Sequence, residues 1–126
     1  MSEDHPLLTL EVIVLIAIGG FVGANARHLL AISTPGLWGT LLANALGSFC
    51  LGFVLYEAMY TGLLAEETRL VVATGFLSSF TTYSTFALET VQATPGLALL
   101  NVLGNYLFGF TGVVLGGGVA SRLDGE

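Results

Sequence analysis

Charged residues are few, and they cut the chain into long apolar runs at 12–26, 28–56, 70–88 and 90–121. A membrane-crossing helix needs about 20 mostly apolar residues, within a range of roughly 17–25. The run 28–56 is too long for one crossing. Thr34-Pro35-Gly36 divides it, because proline beside glycine marks a turn. The pattern predicts helices at about 8–32, 37–60, 69–90 and 97–120. Glu66-Glu67 reads as the second loop and Thr94-Pro95-Gly96 as the third. Loops this short force antiparallel neighbours and leave no room for a second domain. The predicted fold class is an all-α membrane protein, one domain over residues 1–126 with four transmembrane helices.

Composition agrees. The chain is 54% hydrophobic and 10% charged, with a mean hydropathy of +0.85, where a soluble domain carries about 25% charged residues. That excludes an ordinary water-soluble enzyme and equally a disordered chain. The first apolar run ends at Ala24-Asn25-Ala26 and so imitates a secretory signal. Its leading Met1-Ser2-Glu3-Asp4-His5 is acidic where a signal is positive, so it is expected to stay as a membrane helix. Cys50 is the single cysteine, expected as a small buried hydrophobe.

The positive charges are Arg27, Arg69 and Arg122, with no lysine, and the net charge is −6. This balance disfavours nucleic acid and anionic headgroups as partners. An acidic, lysine-free surface suits a high-salt organism. Four crossings put Arg69 and Arg122 on one side and Arg27 on the other. The positive-inside rule needs a clear excess to fix orientation, and here it amounts to one residue. Such a chain can insert either way, which permits an antiparallel dimer.

Within lipid, helices associate through small residues and interhelical hydrogen bonds. The first predicted helix carries Gly19-x-x-x-Gly23 and the fourth Gly112-x-x-x-Gly116. Thr40, Asn44, Ser48 and Gly52 lie four apart along the second, and Asn101, Asn105 and Gly109 repeat the stripe on the fourth. Amides this deep are costly in hydrocarbon unless they have partners or a use. The third predicted helix has five hydroxyl residues in succession, Thr81 to Thr85. At 3.6 residues per turn these sweep beyond one turn, so a regular helix would aim some at lipid. Either the hydroxyls bond back to their own helix and bend it, or the helix breaks here, with freed backbone groups facing a cavity or an ion. Phe80, Tyr83 and Phe86 form an aromatic strip on the same segment.

No cluster with metal-ligand spacing, phosphate loop or nucleophilic triad is present in the sequence, so an enzyme is not expected. His5 and His28 are expected to be solvated. The buried donors are amides, hydroxyls and Arg27, while Glu11, Glu57 and Glu89 fall near predicted helix ends. Such a lining favours an anion. A small hydrated anion needs close donors in place of water, and aromatic edges add positive potential.

These residues resemble the fluoride channel family called Fluc or CrcB, from about Gly19 to Gly116. The likeness comprises Gly19-Gly20-x-x-Gly23-Ala24-x-x-Arg27, then Gly39-Thr40-Leu41-x-x-Asn44-x-x-Gly47-Ser48-Phe49. It continues through Thr74-Gly75-Phe76, Phe80-Thr81-Thr82-Tyr83-Ser84-Thr85-Phe86 and Asn101-x-x-x-Asn105. The third-helix motif is the specific part. The resemblance implies a multi-pass cell-membrane protein, a dual-topology antiparallel homodimer with two narrow pores. It implies passive, selective fluoride export that protects the cell. By position, Asn44 would be a pore amide, and Tyr83 and Phe86 would present ring edges to fluoride. Thr40, Ser84, Thr85, Asn101 and Asn105 would form a polar track, with Arg27 near a vestibule. A structural sodium ion, not transported, would sit at the dimer centre on the backbone carbonyls of Ser78 and Thr81. Two positions depart from the family pattern. Ser78-Ser79 stands where the family has two glycines, and serine is less free to adopt a break. Tyr83 replaces a phenylalanine and adds a hydroxyl.

Two other classes fit less well. A proton-coupled exporter like the small multidrug transporters shares the size and dual topology. It needs a membrane carboxylate, for which Glu11 is available. A non-transporting assembly subunit explains the glycines but not the hydroxyl run. A paralogous subunit in place of the second copy is a further possibility.

Overall fold

The computed structural model describes residues 5–125, all of whose regular elements are helical. Helix α1 spans Pro6–Ser33, and α2 spans Leu37–Tyr56 and continues as a π-helical turn, Glu57–Thr61. Helix α3 covers 66–80: its ends, Glu66–Arg69 and Ser78–Phe80, are α-helical and its middle, Leu70–Leu77, is π-wound. Helix α4 is Ser84–Gln92, and α5 is Pro95–Asp124. Met1 to Asp4, the acidic start of the chain, lie outside the described residues.

Local chemistry sets these ends. His5 Nδ1 accepts a hydrogen bond from the Leu7 N–H, and Pro6 occupies the first turn of α1, where its missing N–H costs nothing. Gly36 and Gly62 adopt positive φ, +79° and +64°, and each lies where one helix gives way to the next segment. Glu66 and Glu67 do not form the loop expected of them. They open α3, because carboxylates are favoured in the first turn by the helix dipole. The turn before them is residues 62–65.

Among the described residues, three helices are long and apolar enough to cross a membrane: Pro6–Ser33, Leu37–Thr61 and Pro95–Asp124. At 28 residues, α1 extends about 42 Å, beyond the roughly 30 Å hydrocarbon core. The predicted helix 69–90 is interrupted at 81–83, where Thr81 turns extended (φ −80°, ψ 161°). Neither α3 nor the 9-residue α4 is long enough to cross alone.

Packing runs in two pairs, α1 against α3 and α2 against α5, with α4 lying on α5. Glycine makes both close approaches possible. A Cβ at Gly19 or Gly23 would overlap the carbonyl oxygens of Val71 or Phe76, and one at Gly116 the carbonyl of Phe49. The two G-x-x-x-G pairs are thus helix–helix contacts. Most large apolar side chains point outward, among them Phe21, Leu51, Leu107 and Phe110. Cys50 is also exposed, not buried as expected, because lipid lets a small hydrophobe face outward at little cost.

One ion pair fastens the turn between α2 and α3. Arg69 donates to Glu57 through Nε at 2.9 Å and Nη2 at 3.1 Å, and the Leu64 N–H donates to Glu57 Oε1 at 2.6 Å. The Glu57 side chain is 5% exposed. Removing one partner of a buried pair leaves an uncompensated charge. Arg69→Ala is therefore expected to lower the melting temperature in detergent by several degrees. Arg122→Ala, on the exposed end of α5, is expected to leave it unchanged.

Candidate anion site at the break between α3 and α4

The break is shaped by the sequence on both sides of it. Thr81 closes α3 by donating its N–H and its hydroxyl to the Leu77 carbonyl, at 3.0 and 2.9 Å. The Thr82 N–H then turns away from the helix and donates to Asn44 Oδ1 at 2.8 Å. Asn44 Nδ2 returns a bond to the Thr82 carbonyl at 3.0 Å. One α2 amide therefore pairs with both backbone groups of the residue in the gap. After the gap, α4 begins at Ser84, and the Thr85 N–H is capped by Thr82 Oγ1 at 3.2 Å. The first amides of a helix have no carbonyl one turn back, and they form its positive end. The last carbonyls of α3 are correspondingly negative. The break thus presents an anion-favouring and a cation-favouring helix end side by side.

A cavity of about 140 Å³ opens at this point, lined by Asn44, Thr82, Tyr83, Phe86, Asn105 and Tyr106. Phe86 is 7% exposed and Tyr83 is 72% exposed, with ring centroids 5.7 Å apart. Tyr106 meets Phe86 edge-on, at 6.3 Å and 79°. The amides form a chain along α2 and α5. Asn44 Nδ2 donates to Asn105 Oδ1 at 3.1 Å. Asn105 Nδ2 donates to the Asn101 carbonyl at 2.9 Å and to its Oδ1 at 3.0 Å.

A larger cavity, about 580 Å³, lies beyond it and is lined by Arg27, His28, Thr40, Thr82, Thr85 and Glu89, among others. Thr40 donates to Glu89 Oε1 at 2.8 Å, while buried Glu89 Oε2 has no partner among the described residues. A third hollow, about 380 Å³, reaches Asn44 from the side of Ser78 and Thr81.

Asn44, Tyr83, Phe86 and Asn105 therefore meet in one cavity, and Arg27, Thr40 and Thr85 in its wider neighbour. Asn101 is buried within the amide chain, and Ser84 is exposed with its hydroxyl 3.5 Å from that of Thr82. Sequence reasoning missed Thr82, Glu89 and Tyr106 as lining residues. Thr82, Thr85 and Glu89 share one helical face by spacing, a signal within reach. Tyr106 sits one position off the amide stripe and gave none.

Comparison with known proteins gives the chain a family. The family described as "CrcB-like protein, Camphor Resistance (CrcB)" matches residues 14–117. A protein of Haloarcula marismortui named "Fluoride-specific ion channel FluC 1" is 55% identical over 116 residues, covering 92% of this chain and 91% of that protein. A protein of the same name in Natronomonas pharaonis is 54% identical over 105 residues, covering 82% and 88%. The "Fluoride-specific ion channel FluC" of Roseiflexus sp. is 42% identical over 121 residues, covering 88% and 98%. With the family match spanning most of the sequence, the chain belongs to the CrcB family.

Proposed function

We propose that the chain is a fluoride-selective channel, exporting fluoride passively and so lowering its toxicity in the cell. The observation that carries this is the break at 81–83, beside which two amides and three aromatic rings line one small cavity and α4 begins. The names of the relatives point to the same ion. Fluoride holds its water tightly, and the ring edges and tyrosine hydroxyls lining the cavity would replace that water without mobile positive charge. Arg27 raises the anion concentration in the outer cavity. The proton-coupled exporter reading rests on Glu11, which is exposed on α1 and distant in sequence from the break.

The working form is an antiparallel pair of copies in the plasma membrane, with α3 and α4 together making the fourth crossing. Exposure of Tyr83, Ser84 and Thr85 supports it, since polar groups and broken backbone are not left facing lipid. A second copy, or a paralogous subunit, would cover them.

A sodium ion fits the other side of the break. Thr82 gives its N–H to Asn44, not to the Ser78 carbonyl one turn back, and Thr81 is extended, so both carbonyls are released. Ser78 Oγ bonds back to the Thr74 and Gly75 carbonyls, so the serine leaves its own carbonyl open. A bound sodium would supply a fixed positive charge between the copies. Replacing sodium by a large organic cation is expected to stop fluoride efflux and loosen the dimer on gel filtration. Unchanged efflux and elution would remove sodium from the reading.

Growth tests the export role. Expression in cells lacking fluoride export is expected to restore growth in fluoride medium, while a chain carrying Phe86→Ile does not. Equal sensitivity with and without the native chain would count against the channel.

A further inference from the structure

The amide chain does not end at the pore. Asn101 Nδ2 donates to Thr90 Oγ1 at 2.9 Å, and Thr90 Oγ1 donates to the Phe86 carbonyl at 2.7 Å. The hydroxyl thus receives a bond from α5 and passes one into its own helix, α4. At the other end of α4, the Asn44 amide holds Thr82 through two bonds and reaches Asn105. The bonds close a loop: Thr82, Asn44, Asn105, Asn101, Thr90 and the Phe86 carbonyl. Phe86 lies between the two fastened ends, with its ring in the small cavity.

Counting donors shows how the loop is held. An amide NH2 has two hydrogens. Those of Asn44 are taken by Thr82 and Asn105, and those of Asn105 by two oxygens of Asn101. Asn101 is 6% exposed and spends a hydrogen on Thr90. A 9-residue helix has little stability of its own, since isolated helices below about 12–15 residues are marginal. Its placement therefore depends on such anchors.

We infer that Thr90 is a positioning residue: with Asn101 it forms a strut from α5 that fixes α4, and so sets where the Phe86 ring stands in the anion path. Asn101 then supports the site through its bonds to Thr90 and Asn105. The inference rests on the channel reading for its effect on conduction, but its structural half is measurable without it.

The test compares Thr90→Val, which keeps the shape and loses the hydroxyl, with Thr90→Ser, which keeps the hydroxyl. Amide hydrogen exchange of the purified dimer in detergent is read over 84–92, with 66–80 as internal reference. In Thr90→Val, exchange over 84–92 is expected to rise by about tenfold and fluoride efflux to fall by about tenfold, the effect of one lost buried hydrogen bond. Thr90→Ser is expected to stay within about twofold of the native chain on both readouts. Adding Asn101→Ala to Thr90→Val is expected to cost less than the sum of the two single losses, since both remove one strut, and the extra loss is that of the Asn101 Oδ1 that accepts from Asn105. Native-like exchange and efflux in Thr90→Val would overturn the inference, as would equal losses in Thr90→Ser. Should Thr90→Val not be recovered folded, Thr90→Ala carries the same comparison. A native chain that passes no fluoride but shows the expected exchange pattern overturns the channel reading and leaves the strut standing. A conducting native chain with no exchange change in Thr90→Val does the reverse.

Discussion

Asn44→Ala is expected to abolish fluoride efflux, by at least about a hundredfold, equivalent to about 2.7 kcal/mol. The substitution removes three hydrogen bonds at once. It strands the Thr82 N–H and carbonyl at the break and takes the Asn44 donor from Asn105 Oδ1. Each polar group left unsatisfied away from water costs about 1–3 kcal/mol, so the gap between α3 and α4 must rearrange. Asn44→Asp separates geometry from charge. It keeps the oxygen that accepts from Thr82 but loses both donors and places a negative charge beside the anion path. It is expected to yield folded protein that is as silent as Asn44→Ala. Efflux measured alongside gel filtration distinguishes the two variants, and near-native efflux in Asn44→Asp would exclude this amide from the pathway.

The second large effect is on the fold. Gly116→Ala places a methyl group against the Phe49 carbonyl and the backbone of Phe53, and neither can move as a side-chain tip can. Helices α2 and α5 must separate along their length, which is expected to cost about 3 kcal/mol or more and to yield aggregated protein. Gly118→Ala is two positions along the same helix, where an added Cβ meets nothing within 4 Å. It is expected to behave as native in a thermal melt. Equal stability of the two variants would mean that α2 and α5 are not packed through Gly116.

Much of this was legible in the chain because membrane constraints leave few solutions. Apolar run length marked the three uninterrupted crossings, and glycines four apart marked the faces where α1 meets α3 and α2 meets α5. The hydroxyl run Thr81–Thr85 pointed to a bend or a break, since no regular helix hides five such groups. What it did not announce is which amide the gap would find. The link from Asn44 to Thr82 joins α2 to a segment 38 residues later, and the spacing of the Asn44 stripe fits helix glue equally well. Glu66-Glu67 misled because two adjacent charges resemble a loop, whereas a helix dipole welcomes them. Thr90 carried no signal: a hydroxyl near a helix end is ordinary until Asn101 is seen to reach it.

The most direct measurement is fluoride efflux from proteoliposomes of the purified chain, followed with a fluoride electrode in sodium-containing buffer, with chloride as control. Rapid fluoride loss without chloride loss is the expected result. No fluoride loss from an intact dimer, alone or with a second family member co-expressed, would contradict the channel reading of the cavity at Asn44 and Phe86.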